Sequence, residues 1–210
     1  MEFESRVGDA VSSAPLRVLV KEDFETHFRS WGRPGLHALL VYRLGHWAAS
    51  GSSARPLRLA AKVVHRLLNV AIIRNVYGME ISPDAVIGRR VMIGHHQALQ
   101  IPAFCVIGDG TLLRHNVNIG FGTSDKDPYA VPHLGRDVQL GSGCALLGPI
   151  RIGHGARIGP NCVVISNVPD GATLMAPAPR MFKAAAHTPV GQAAYKPGED
   201  ASPEVRQVAG

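Results

Sequence analysis

From Ile81 to Val164 an aliphatic side chain returns at every sixth position: Ile81, Ile87 and Ile93, then Ile101, Ile107, Leu113 and Ile119, then Leu134, Leu140, Leu146, Ile152, Ile158 and Val164. Two longer steps interrupt the series, one of eight residues from Ile93 to Ile101 and one of fifteen from Ile119 to Leu134. A period of six matches neither the helical repeat nor simple strand alternation, and self-similarity at a fixed short period marks a solenoid. The physical solution is a chain of short flat strands joined by turns, three hexads closing one triangular coil with the aliphatic residues stacked inside. Four residues after each aliphatic comes a second, mostly small or β-branched position that fills a corner: Ala85, Val91, Cys105, Thr111, Val117, Val138, Cys144, Ala156 and Cys162. Gln97 stands in the same register. Glycine directly after the aliphatic, as in Ile87-Gly88 and Ile107-Gly108, is expected to relieve the backbone where the wall turns. Twelve or so hexads make about four coils, and one strand spacing per coil gives a prism about 19 Å tall.

Ahead of the repeat the period changes. Residues 1–15 read as a flexible leader. Leu16 to Trp31 carries apolar residues at helical spacing and stops at Gly32-Arg33-Pro34-Gly35. Leu36, Leu39, Leu40, Leu44 and Trp47 then share one helical face. A further helix begins near Pro56, with a stripe of Leu57, Ala60, Ala61, Val64, Leu67, Leu68, Ala71 and Ile72, and Gly78 where a C-terminal cap belongs. Lys62, His65, Arg66 and Arg74 interrupt that stripe, so it is no membrane span. The expected class is α+β: a helical domain over 16–78, then a left-handed parallel β-helix over 79–182 with an inserted loop at 121–133. The Ala, Pro and Gly content of 183–210 predicts a flexible tail.

Charge narrows the partners. The net charge of +6 and pI near 9.6 come from scattered residues, mostly Arg, without Lys runs or interleaved aromatic platforms. That argues against a nucleic-acid surface and suits a coenzyme bearing several phosphates. The acidic, polar start MEFESRVGDA is no signal peptide, so a cytoplasmic protein without a membrane partner is expected. All three cysteines fall in the corner register, which predicts buried, reduced thiols rather than disulfides or metal ligands. Polar chemistry concentrates at the eight-residue step, where Gly94-His95-His96-Gln97 replaces the usual small residues and points to a cleft. His27, His37, His46, His65, His154 and His187 are read as ordinary surface residues. The long loop FGTSDKDPYAVPH is the other place where function is expected.

Several segments together resemble the serine acetyltransferase family of hexapeptide-repeat acyltransferases. They are Pro34-Gly35-Leu36-His37-Ala38-Leu39, Tyr42-Arg43-Leu44-Gly45-His46-Trp47, and the run from Gly78-Met79-Glu80-Ile81-Ser82-Pro83 through Ile93-Gly94-His95 to Val117-Asn118-Ile119-Gly120. The likeness covers about residues 20 to 182. It implies acetyl transfer from acetyl-CoA, as co-substrate and without a metal, to a hydroxyl on a small-molecule acceptor. It places the family's catalytic histidine at His95 and its paired acid at Glu80. Neutral imidazole suits the task, since a hydroxyl is a poor nucleophile until a base takes its proton. The resemblance also implies a homotrimer or a multiple of one. Its coenzyme would lie along the prism beside Gly120, Ser142 and Pro160, the last in place of a small alanine, with Arg157 and Arg180 available for the phosphates.

The chain departs from the family at the acceptor. An aspartate before the catalytic histidine and an Arg-His pair in the loop, which hold free serine, are here Gly94, Ala130 and Val131. His133 and His96 are candidate replacements, and so are Glu22 and Asp23, which resemble an acidic motif in relatives that serve polysaccharide assembly. The acceptor is therefore serine or a similar hydroxyl, with a sugar, polysaccharide or other hydroxylated metabolite as the alternative. A zinc carbonic anhydrase on the same prism would need a His-x-x-x-x-His pair, which His95, His96, His115 and His133 do not supply. A non-catalytic scaffold is the remaining reading, and His95 in register speaks against it.

Overall fold

The computed structural model describes residues 14–49, 54–122 and 130–180. Short parallel strands stack in triplets, as the hexads require. The first coil holds β1 (Glu80–Ile81), β2 (Val86–Ile87) and β3 (Met92–Gly94). The second holds β4 (Gln100–Ile101), β5 (Val106–Ile107) and β6 (Leu112–Arg114), and the third β7 (Asn118–Gly120), β8 (His133–Leu134) and β9 (Gln139–Leu140). The fourth holds β10 (Ala145–Leu147), β11 (Arg151–Ile152) and β12 (Arg157–Ile158), and a partial fifth adds β13 (Val163–Val164) and β14 (Thr173–Leu174). Three flat sheets result, ordered β1-β4-β7-β10-β13, β2-β5-β8-β11 and β3-β6-β9-β12-β14, called here the first, second and third faces. An isolated parallel bridge from Ile152 to Val168 continues the second face. The chain is thus a left-handed parallel β-helix of four full coils and part of a fifth.

Register explains the hexad. Ile81 aligns with Ile101, Ile87 with Ile107 and Leu134, and Leu113 with Ile93 and Leu140, so like aliphatics stack directly above one another. These side chains are almost wholly shielded from solvent, and the corner residues Ala85, Val91, Cys105, Thr111, Val117 and Val138 are fully buried between them. The three cysteines are unpaired and buried. Burial pushes the Cys144 thiol up to about 12 and the Cys105 thiol higher still, which makes both poor nucleophiles. Gln97 is not a corner filler: it is exposed, and buried Leu99 holds the corner two residues before Ile101. The glycines after the aliphatics also serve a different purpose from the one expected. At Gly88, Gly108, Gly135 and Gly141 the backbone lies outside the left-handed region, and a Cβ would strike the next coil, at Gly141 2.6 Å from the nitrogen of Pro160. Close stacking of coils, rather than freedom at a turn, requires them.

Three helices precede the prism: α1 (Leu16–Thr26), α2 (Pro34–Ala49) and α3 (Arg55–Leu68), the last running into a π-helical segment (Asn69–Arg74). They form one compact unit with the β-helix, ending at Pro177. Leu39, Tyr42 and Ile73 belong to the same apolar cluster as the prism interior. Tyr42 reaches into the first coil, where its hydroxyl donates to the Ala85 carbonyl at 2.7 Å and accepts from the Ile87 amide at 3.1 Å.

The junction is polar as well. Arg43, fully buried, donates to both carboxylate oxygens of Asp23 (3.0 and 3.3 Å) and to the carbonyls of Ile87 and Gly88 (2.6 Å each). Asp23 is 0% exposed. Burial pushes its carboxyl above the ordinary range and the Arg43 charge opposes that push. Glu22 turns to Arg89, whose guanidinium holds the carboxyl below its usual range. Asp23 is sealed from solvent and so departs from the expected role at an acceptor, while Glu22 is partly exposed and engaged by Arg89. Both fasten α1 to the first coil.

Five histidines expected at the open surface make specific hydrogen bonds instead. His27 is buried, His37 lies between the Trp31 carbonyl and the Tyr77 hydroxyl, His46 reaches the Pro83 carbonyl and His65 the Val41 carbonyl. His154 accepts from the Arg136 amide at 3.0 Å. His187 and the whole of the expected tail lie outside the described residues, as does most of the expected leader. Among the described residues no helix is long and apolar enough to cross a membrane.

Candidate active site

The eight-residue step places four consecutive exposed residues, His95 to Ala98, outside the corner between the third and first faces. His95, Gln97 and Ala98 all take positive φ (63°, 108° and 50°). Left-handed backbone in residues bearing a Cβ is costly and persists where surrounding structure enforces it, and such strain gathers at functional sites. The turn itself is held by backbone bonds, from the Asn116 amide to the Gln97 carbonyl and from the Ala98 amide to the Gly78 carbonyl. The strand leading into it is held by the helices. The Ile93 amide donates to His27 Nε2 at 3.2 Å, while His27 Nδ1 donates to the Asp23 carbonyl at 2.8 Å. Burial holds the His27 imidazole below its ordinary range, so it is neutral and able to accept. Gly35 packs so closely on Ile93 that a Cβ would overlap its carbonyl. Helices α1 and α2 therefore brace the strand that ends at Gly94, immediately before His95.

Ring contacts extend the site in two directions. His95 meets His115 of the next coil edge to face, with centroids 5.8 Å apart and planes at 88°. His115 Nδ1 lies 3.4 Å from Ser142 Oγ in the coil beyond. Asn161, next to Pro160, donates its amide to the Ser142 carbonyl at 3.0 Å. His95, His115, Ser142 and Pro160 thus line a single corner from the first coil to the fourth. His96 packs edge-on against Tyr77 at 5.5 Å, and Tyr77 is held in turn by His37 at 2.8 Å.

Other candidates lie elsewhere. Glu80 forms no hydrogen bond with His95 among the described residues; its carboxylate lies 3.4 Å from Arg74. It borders an open groove of about 420 Å³ on the first face, whose lining also includes Arg74, Gln100, Asn118, Gly120 and Phe121. A second hollow of about 370 Å³ continues to Ala98 and Asn116, beside the histidine corner. Gly120 ends its strand at the opposite edge of the first face, away from Ser142 and Pro160. His133 starts β8 on the second face and shares neither face nor corner with His95. Ala130 and Val131, where the family pattern has charges, are buried at 5% and 4% exposure. Arg157 is exposed on the third face, and Arg180 belongs to a separate unit that begins at Ala178. Sequence reasoning missed His27, Arg43 and His115. A histidine just past a strand, one coil after His95 and at the equivalent point, was the available signal for the last.

Comparison with known proteins agrees with this architecture. Residues 132–166 match the family model "Bacterial transferase hexapeptide (six repeats)". A serine acetyltransferase of Helicobacter pylori is 38% identical over 140 residues, 67% of this chain and 76% of that protein. One from Mycobacterium tuberculosis is 37% identical over 142 residues, 68% of this chain but only 58% of its own length. The putative colanic acid biosynthesis acetyltransferase WcaB of Escherichia coli is 32% identical over 146 residues, 70% of this chain and 89% of that protein. Among solved structures, soybean serine acetyltransferase complexed with serine aligns with a TM-score of 0.62 at 28% identity, over 79% of this chain and 69% of that one. By its hexad prism, its helical brace and these relatives, the chain belongs to the serine acetyltransferase family of hexapeptide-repeat acyltransferases.

Proposed function

We propose that this chain is an acetyl-CoA-dependent O-acetyltransferase in which His95 is the general base. The observation that carries the reading is the exposed His95 ring on a strained turn whose preceding strand is braced by the helices, and the sequence resemblance assigns the family's base to the same residue. The imidazole takes the acceptor's hydroxyl proton as the oxygen attacks the thioester carbonyl. Collapse of the tetrahedral adduct breaks the carbon–sulfur bond, and the imidazolium returns the proton to the departing thiolate, leaving an acetyl ester and the free thiol of coenzyme A. A complex of coenzyme A with a serine acetyltransferase of the same fold, from Brucella abortus, supports the donor. On this reading the pantetheine arm follows the corner of Ser142 and Pro160. Gly120 of a neighbouring copy faces it, and Arg157 supplies a guanidinium group for the phosphates. Glu80 serves His95 only by leaving Arg74. Reduced, buried thiols suit a cytoplasmic enzyme.

A homotrimer, or a multiple of one, completes the site. Phe121 and Ile165 expose 47% and 74% of their surface along the corner between the first and second faces, apolar area that a neighbouring copy would cover. The inserted loop leaves from that same corner. In a ring of three, His133 of one copy stands against the His95 corner of the next, which unites two candidates that a single prism keeps apart. Light scattering is expected to give a mass of three chains or a multiple; a fully active single chain would overturn this.

The acceptor is a serine-like hydroxyl, and one observation favours a second reading. With Ala130 and Val131 buried and Gly94 lacking a side chain, no charge replaces the family's partners for an ammonium and a carboxylate at those positions. Charge-assisted hydrogen bonds contribute about 1.5–3 kcal/mol each, so losing two weakens free serine by a factor of hundreds. Thiol release from acetyl-CoA, measured with serine, serine amide and simple sugars, decides. If His133 and His96 hold serine, His133→Ala raises the serine KM far more than that for acetyl-CoA. If a sugar or polysaccharide hydroxyl is the substrate, as the name of the Escherichia coli relative suggests, sugars outperform serine. An ordinary serine KM, indifferent to both histidines, would refute this account of the substitutions. Absence of thiol release with every acceptor, despite coenzyme binding, would refute the enzyme reading.

A further inference from the structure

The ring contact that His95 makes in this structure is with His115, while the acid expected to hold it, Glu80, is engaged by Arg74. A general base must present one ring nitrogen to the acceptor at a fixed angle, because a proton moves only along a short, well-aligned hydrogen bond. His95 sits on a turn of strained, solvent-exposed residues, so its backbone fixes where the ring starts but not how it rotates. Something must set χ1 and χ2.

Resting on the proposal that His95 is the base, we propose that His115 is the positioning residue for its ring. The two planes stand at 88° with centroids 5.8 Å apart, the edge-to-face geometry that aromatic pairs favour, and rotation of His95 about χ2 would destroy it. His115 is itself placed from both sides. It follows β6, which pairs with β3 in register, Gly94 opposite Arg114, so the two imidazoles leave adjacent rungs at equivalent points. Its Nδ1 is 3.4 Å from Ser142 Oγ, and its carbonyl accepts from the Gly143 amide at 3.2 Å. Ser142 lines the corner assigned above to the coenzyme. The sequence Ser142, His115, His95 therefore joins the donor's track to the base through side chains alone, one per coil. Asn116, whose amide donates to the Gln97 carbonyl at 2.8 Å, ties the same two turns through the backbone and keeps the rings at a constant separation.

The ring, not its polarity, does the positioning, and variants separate the two. His115→Ala is expected to lower kcat about tenfold while leaving the KM for acetyl-CoA within twofold, because the coenzyme track is intact and only the orientation of the base is lost. His115→Phe keeps an aromatic face and is expected to recover most of kcat. His115→Asn keeps a polar group without a ring and is not. Thermal melting of all three beside the parent shows whether each is folded, and a variant that melts early is replaced by His115→Tyr in the same comparison. A kcat within twofold of the parent in His115→Ala, an Asn variant as active as the Phe variant, or a rise in the acetyl-CoA KM that accounts for the loss would each overturn the proposal. His95→Ala is assayed in parallel. If it is inactive while His115→Ala is unaffected, positioning by His115 fails alone; if both are active, the assignment of the base fails.

Discussion

His95→Ala is expected to lower turnover by about three orders of magnitude, the range for losing a general base together with its orientation. The magnitude follows from the chemistry: without a base in contact, the acceptor attacks as a neutral alcohol, and water is the only proton acceptor left. Coenzyme affinity should hardly change, since the imidazole addresses the acceptor hydroxyl and the pantetheine track runs past Ser142 and Pro160. The measurement is steady-state thiol release combined with calorimetric binding of coenzyme A. Because His95 is exposed and makes no hydrogen bond among the described residues, its removal should not unfold the protein. A melting temperature like the parent's therefore accompanies the loss. If most of the turnover survives, His95 is not the base. His96, packed on Tyr77, and His133, on the second face, then become the candidates.

The largest effect on stability is expected at Asp23. Asp23→Ala leaves the Arg43 guanidinium buried without its counter-charge, and breaking a buried pair by removing one partner costs about 3–5 kcal/mol. The two carbonyls that Arg43 also reaches, at Ile87 and Gly88, cannot neutralise a full charge. Asp23 further supplies the carbonyl that fixes the tautomer of His27, and this bond should survive because it is made by the backbone. Urea denaturation should show a lower midpoint at an unchanged slope. Replacing both partners with apolar residues of similar size, Asp23→Leu with Arg43→Met, should recover most of the loss, since a buried ion pair contributes little beyond what hydrophobic packing provides. A single Asp23→Ala variant within about 1 kcal/mol of the parent would show that Arg43 finds water or another partner, and that the junction is not the buried pair described. The folded variant's KM for serine should match the parent's, because Asp23 is sealed from solvent and cannot touch an acceptor.

The architecture was legible in the chain because a hexad repeat is a local code. Each aliphatic says which way its strand faces, each corner residue says where the wall bends, and stacking identical rungs adds no information beyond the period itself. The β-helix, its triplet coils, the buried thiols and the exposed turn at His95 all follow from such short-range patterns. The site's supports do not, because they are made between segments distant along the chain. Asp23 and Arg43 are separated by 20 residues, His27 and Ile93 by 66, and Glu22 and Arg89 by 67. A carboxylate next to a carboxylate reads in sequence as an acidic patch for a ligand. Only the packing of α1 on the first coil turns one of them inward to a buried guanidinium and the other to a surface arginine.

The same distinction separates what was right about the glycines from why. Their spacing was visible, but the reason, a neighbouring coil too close to admit a Cβ, belongs to the stacked structure. The residues of the site divide likewise. That His95 sits in a register break is a property of the sequence. That its ring faces His115 while Glu80 faces Arg74, and that His133 stands on another face altogether, was decided by which corner each turn occupies once the prism closes, because a residue's direction in a coil depends on every hexad before it.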